Sequence, residues 1–177
     1  MKEQKNILRQ QIRDRIGQLT QTEKQNQSAA IRSQLTFPPN QHIALFAGLP
    51  NEPQLLDLIR EQTNVHWYLP RVLSKTEMTF IKVTDPKTLL KGPFNILEPT
   101  GNETATHLDT ILCPGVAFTK SGTRLGQGGG YYDRALTQYP TAKRIGIAFT
   151  CQIIPKLPIE AHDLPMHHII SPPQESY

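Results

Sequence analysis

The 177-residue chain carries 19 Lys+Arg against 15 Asp+Glu, for a formal net charge of +4 and a pI near 9.1. That length suits one domain, which can bury roughly 70% of its unfolded surface without a metal or disulfide staple. Apolar residues spread along the whole chain argue against disorder, and no apolar run approaches the ~20 residues of a membrane span. The basic excess is local: residues 1–35 hold seven basic and three acidic side chains, while residues 36–177 hold twelve of each sign.

In chain order, Leu8, Ile12, Ile16 and Leu19 mark an amphipathic helix over 2–19. Thr20 with Glu23, or Thr22 with Gln25, offers a capping box for a second helix to about Leu35. Phe37-Pro38-Pro39-Asn40 ends it, and 42–47 (HIALFA) reads as a buried strand. Pro53 suits a first helical position, which predicts a helix to Gln62. Strands follow at 65–69 and 78–83, then a polar, Pro- and Gly-rich stretch over 85–106 that reads as mostly loop. A short strand at 110–113, a long loop to Gly130, a helix to Tyr139 and strands at 144–149 and 168–170 complete the chain. Alternating strands and helices predict an α/β fold, with a single domain spanning 1–177 and the N-terminal helices, 2–35, packed on the body.

The most informative stretch is 114–134, PGVAFTKSGTRLGQGGGYYDR. Gly126, Gly128, Gly129 and Gly130 fall between a strand and a helix. Glycines let successive N–H groups converge on an anion, and the helix N-terminus adds further free donors. Lys120 and Arg124 supply positive charge to the same loop. The pattern is neither a Walker A nor a dinucleotide GxGxxG, since Tyr131 stands where the last glycine would fall. Asp133 beside a bound phosphate would be repelled unless Mg²⁺ lay between them, and Asp163 is a possible second carboxylate. Read by itself, an acid at Asp133 in a first helical turn usually just complements the helix dipole, and by spacing alone Asp163 is more often an ordinary loop acid.

At ~100° per residue, Lys5 falls inside the apolar arc of the first helix and Arg9 at its edge. A charge there either meets an anion or snorkels, and the pattern leaves both open. Cys113 and Cys151 read as buried thiols in a reducing compartment. The N-terminus lacks an apolar signal region, so a cytoplasmic location is expected. The six histidines, 42, 66, 107, 162, 167 and 168, show no helical ligand spacing and read as structural. Glu52 follows a buried strand, where open α/β sheets build ligand sites, but it suits a helix N-terminus equally well.

Residues 124–133, RLGQGGGYYD, resemble the glycine-Tyr-Tyr-Asp loop of the 5-formyltetrahydrofolate cyclo-ligase family. Further pieces resemble that family in the same order: Lys5-Asn6-Ile7-Leu8-Arg9, 46–52, Leu69-Pro70-Arg71 and His162-Asp163-Leu164-Pro165. The resemblance implies a three-layer α/β/α domain with a mixed, largely parallel sheet. It also implies ATP- and Mg²⁺-dependent conversion of 5-formyltetrahydrofolate to 5,10-methenyltetrahydrofolate. By position, Lys5, Arg9, Arg124, Leu125, Gly126, Gln127, Gly128, Gly129, Gly130, Tyr131 and Tyr132 would hold ATP, and Asp133 and Asp163 the Mg²⁺. Ala47, Glu52 and 127–131 would contact the folate. Lys120, Arg124 and Tyr131 are the expected catalytic residues, and a monomer without nucleic-acid or membrane partners is expected. Three positions depart from the family pattern: Thr119 replaces a common Asp, Gln127 a common Arg, and His167 a common Asp. They motivate an alternative, a folate- or nucleotide-binding relative with weak turnover. An RNA-binding reading of the basic N-terminus fits poorly with the neutral body and scarce aromatics.

Overall fold

The computed structural model describes residues 1–160 and 163–173, so His162 of the Asp163 segment lies outside the described residues. Helix α1 (Lys2–Gly17) leads into α2 (Gln21–Arg32). Of the two possible capping boxes, Thr20 with Glu23 forms: Thr20 Oγ1 accepts the Glu23 N–H at 3.2 Å, and the Glu23 carboxylate accepts the Thr20 N–H at 2.7 Å. Then come β1 (His42–Ala44), α3 (Leu58–Glu61), β2 (His66–Val72) and β3 (Met78–Val83). The remainder comprises β4 (Leu90–Lys91), β5 (Leu97–Glu98), β6 (Thr110–Cys113), β7 (Ala117–Phe118), β8 (Arg124–Leu125), α4 (Tyr131–Gln138), β9 (Lys143–Ile147) and β10 (His168–Ile170).

Six strands form one sheet in the order β10-β9-β6-β1-β2-β3. All neighbours run parallel except β3, which lies antiparallel to β2. Strand alternation sends Ile43, Trp67, Leu69 and Leu112 to one face, where Ile31, Leu35, Leu58 and Ile59 of the α2–α3 side cover them. Ala44, Tyr68, Ile111 and Cys113 turn to the other face and meet Ala135 and Leu136 of α4. The result is the three-layer α/β/α architecture with a mixed, largely parallel sheet.

Helix α1 sits elsewhere. Its fully buried Ile12 and Ile16 pack on Val116, Ala117, Leu125, Phe149 and Leu157, around the β7–β8 hairpin at the end of the sheet. Burying two such side chains is worth about 3–6 kcal/mol, enough to seat the helix beside the glycine loop.

Three element assignments need correction. The helix expected from Pro53 shrinks to the single turn of α3. Side-chain contacts compete for its backbone: Ser28 Oγ accepts from Gln54 N–H at 3.1 Å, Arg32 donates to Gln54 C=O at 2.9 Å, and the Gln54 amide caps the carbonyls of Gly48, Leu49 and Glu52. The 85–106 stretch, read as mostly loop, holds only two strands of two residues each, the β4–β5 hairpin, whereas the loop before Gly130, read without strands, contains the β7–β8 hairpin. The first strand's ladder also ends at Ala44, although Leu45 N–H still donates to Tyr68 C=O at 2.9 Å.

Candidate active site

A cavity of about 530 Å³ opens at the carboxyl edge of the sheet, a volume within the usual range of ligand sites. Phe46 and Ala47 after β1, Pro70 and Val72 of β2, and Pro114 and Gly115 after β6 contribute to its wall. The chain leaves β1 toward β2 but leaves β6 toward β9, on the opposite side. Such a switch point is where open α/β sheets accept ligands, because the diverging connections leave a crevice.

The glycine loop forms another wall. Gly128 (φ +105°) and Gly130 (φ +68°) adopt left-handed conformations that side chains rarely allow, and Gly130 directly precedes α4. Among the described residues, the N–H groups of Gly128, Gly129 and Gly130 find no acceptor. Unpaired amides at a cavity wall and a helix start form a ready cradle for an anion.

Charged groups surround this loop in pairs. Lys5 is only 8% exposed, as its helical phase anticipated. Its ammonium donates to Glu160 at 2.6 Å and Asp163 at 3.0 Å, so the anion it meets in this structure is protein carboxylate. Burial works against the ammonium, but the two carboxylates outweigh it and raise the Lys5 pKa. Arg9 grips the Gly126 carbonyl at 2.9 Å through Nε. Arg124 donates to Asp133 at 2.7 Å and to Pro114 C=O at 3.1 Å, leaving its buried Nε without a partner among the described residues. The Arg124 guanidinium carbon stands 5.7 Å from the centre of the Tyr132 ring, whose buried hydroxyl is likewise unpartnered among the described residues.

The cavity therefore gathers Lys5, Arg9, Ala47, Glu52, the whole of 124–133 and Asp163. It does not gather Lys120, which corrects the expectation that this side chain charges the glycine loop. A tight turn at 119–122, closed by Gly122 N–H donating to Thr119 C=O at 3.0 Å, carries Lys120 to the exposed tip of the β7–β8 hairpin. Arg71, in the Leu-Pro-Arg strand end, is turned away as well and donates to Gly101 C=O at 2.7 Å.

Glu52 sits between the main cavity and a smaller one of about 270 Å³, and lines both. It accepts the Leu49 N–H at 3.0 Å. Burial pushes its pKa up, opposed by that hydrogen bond and one from Gln127. Gln127 is also where the chain departs from its resemblance, and Arg13 donates to Gln127 Oε1 at 2.8 Å. A guanidinium from α1 thus stands beside the position that carries no charge of its own. Thr119 is buried and organises its turn, with Oγ1 accepting from Thr123 N–H at 3.0 Å. His167 lies away from the cavity, where Nδ1 accepts the Arg144 N–H at 2.9 Å.

Sequence reasoning missed Glu160 and an apolar wall made by Val72, Met78, Phe94 and Ile96. The wall comes from separate strands and a turn, so no local period betrays it. It also missed that His42, His66 and His107 cluster at the far edge of the sheet, with ring centres 4.7 and 5.9 Å from His42.

A parallel-rich sheet, a ligand-sized cavity at its switch point and unpaired glycine amides in the cavity wall are the features by which α/β enzymes accommodate anionic ligands. The profile of the 5-formyltetrahydrofolate cyclo-ligase family matches residues 1–172. An Escherichia coli (strain K12) 5-formyltetrahydrofolate cyclo-ligase is 32% identical over 176 residues, covering 91% of this chain and 96% of the relative. The structure of Aquifex aeolicus 5,10-methenyltetrahydrofolate synthetase superposes with a TM-score of 0.83 at 31% identity, covering 94% of this chain and 88% of that one. A Mycoplasma pneumoniae 5,10-methenyltetrahydrofolate synthetase gives 0.78 at 29% identity, with 96% and 99% covered. This chain belongs to the 5-formyltetrahydrofolate cyclo-ligase family and is an enzyme. No helix among the described residues is long and apolar enough to cross a membrane.

Proposed function

We propose that this enzyme converts 5-formyltetrahydrofolate to 5,10-methenyltetrahydrofolate, with ATP as co-substrate and Mg²⁺ as cofactor. The observation that carries the proposal is the run of glycines, with amides unpaired among the described residues, lining a cavity that also holds Lys5, Arg9 and Arg124. Phosphoryl transfer depends on positioning and charge stabilisation, and this site offers amides and fixed cations. The formyl oxygen attacks the γ-phosphorus and the bond to ADP breaks. N10 adds to the formyl carbon and releases its proton. Phosphate then departs with the formyl oxygen, leaving the methenyl bridge.

The glycine amides, Arg9 and Arg124 hold the phosphates, with Lys5 transferring from its carboxylates to the triphosphate. Ala47 and Glu52 meet the folate, and 127–131 place its formyl group against the phosphate. The donor set suits Mg²⁺: Asp133 and Asp163 offer hard carboxylate oxygens beside a phosphate cradle. No group of three or more potential metal ligands is assembled among the described residues, so phosphate oxygens and water would complete the coordination. The ion would neutralise charge developing on the transferring phosphoryl group.

The test is the absorbance of the methenyl product in a mixture of enzyme, 5-formyltetrahydrofolate, ATP and Mg²⁺. A rise that requires both ATP and Mg²⁺ is expected. No ATP-dependent rise at high enzyme concentration would overturn the proposal.

A further inference from the structure

Arg134 stands one turn into α4, exposed and outside the cavity wall, yet its contacts converge on the glycine loop. One terminal nitrogen donates to Gly129 C=O at 2.7 Å, and Nε donates to Thr76 C=O at 2.5 Å. Its guanidinium carbon lies 5.4 Å from the centre of the Tyr131 ring. The Tyr131 hydroxyl donates to Ser74 C=O at 3.1 Å. Two neighbouring side chains thus fasten the loop and the start of α4 to the β2–β3 turn.

The consequence follows from peptide geometry. In a trans peptide, C=O and N–H point in opposite directions within one plane. Holding the Gly129 carbonyl on Arg134, outside the cavity, directs the Gly130 N–H away from Arg134. Gly130 lines the cavity and its N–H finds no acceptor among the described residues. Arg9 does the same at the other end, where its bond to the Gly126 carbonyl orients the Gln127 N–H. Glycine-rich backbone loses the most entropy on ordering, so a cradle of such amides needs external restraint. Gly130 also makes room for it: a Cβ there would stand 2.6 Å from Arg134 Nη1.

We propose that Arg134 is a positioning residue for the anion cradle. It sets the Gly129–Gly130 peptide plane and couples it, through Tyr131 and Thr76, to the β2–β3 turn. This rests on the reading of the loop as a phosphate site. Lysine cannot hold two carbonyls in a planar fork while stacking on a ring, so Arg134→Lys restores the function only in part.

The test measures Mg²⁺–ATP and 5-formyltetrahydrofolate affinity by calorimetry, with thermal midpoints alongside, for wild type, Arg134→Lys and Arg134→Ala. Arg134→Ala is expected to weaken nucleotide binding about tenfold, the scale of one charged hydrogen bond, and Arg134→Lys less. Folate affinity should fall less than nucleotide affinity, because Ala47 and Glu52 also hold the folate, and the thermal midpoint should stay near wild type because Arg134 is exposed. In ¹⁵N spectra the Gly130 amide should shift with nucleotide in wild type and much less in Arg134→Ala. Should Arg134→Ala fail to fold, Arg134→Lys carries the same comparison. A wild type that binds nucleotide with variants that bind equally tightly overturns the role of Arg134 alone. A wild type that binds no nucleotide overturns the phosphate reading and this proposal with it.

Discussion

Arg124 and Asp133, nine residues apart across the glycine loop, close on each other at 2.7 Å. The cation assigned to phosphate and the carboxylate assigned to metal are therefore partners in this structure. Lys5 with Asp163 repeats the arrangement. Each pair would have to part when metal and triphosphate arrive, and each member would then find a partner of opposite charge in the incoming pair.

Asp133→Asn tests that relationship. The Arg124 side chain is only 5% exposed, so loss of its counterion should cost about 1–3 kcal/mol of stability. Turnover should fall on the order of 100-fold while the fold survives. Denaturant unfolding and the methenyl absorbance assay measure the two effects, and wild-type turnover would remove Asp133 from the metal site.

Tyr132→Phe should act in the opposite sense on stability. The buried hydroxyl has no hydrogen-bond partner among the described residues, and burial drives its pKa well up. Removing it should leave stability unchanged or raise it by up to ~1 kcal/mol, since an unsatisfied buried donor is a cost. A thermal midpoint several degrees below wild type would show that the hydroxyl is satisfied in solution.

Gly130→Ala should destabilise by about 1–2 kcal/mol, the penalty for a side chain in the left-handed region. The clash with Arg134 adds little, because it involves the end of a flexible side chain. Nucleotide affinity should fall with it, and calorimetry would show whether it does.

The histidine cluster predicts acid sensitivity far from the cavity. His42 meets His66 and His107, with Lys82 nearby, opposed by Asp109, while Tyr68 OH lies 2.8 Å from its Nδ1. Burial first, and then the neighbouring positive charges, depress its pKa below the ordinary 6.5. The unfolded chain therefore takes up this proton first. The associated stability is intact above pH 6.5 and is lost as pH falls through the folded-state value. His167, depressed by burial and Arg144, contributes in the same direction. Thermal midpoints should decline below that pH, and His42→Gln should flatten only its own share. An unchanged slope in that variant would refute the assignment.

The patterns legible in the chain were those written in short-range spacing. Glycines crowded between a strand and a helix marked the cradle, and a period of about 3.6 turned Lys5 inward before any contact was known. The location of the basic excess in residues 1–35 also needed no structure. Partners did not follow from spacing. Lys5 finds Glu160 across 155 positions, and Arg13 reaches Gln127 across 114. Lys120, close in sequence to Arg124, is carried away by one tight turn, while Arg134, one turn into α4, holds the Gly129 carbonyl from outside the cavity. Local periodicity records which face of an element is buried. Which charges then meet depends on how separate elements pack at the sheet's edge, and that packing is a property of the whole fold.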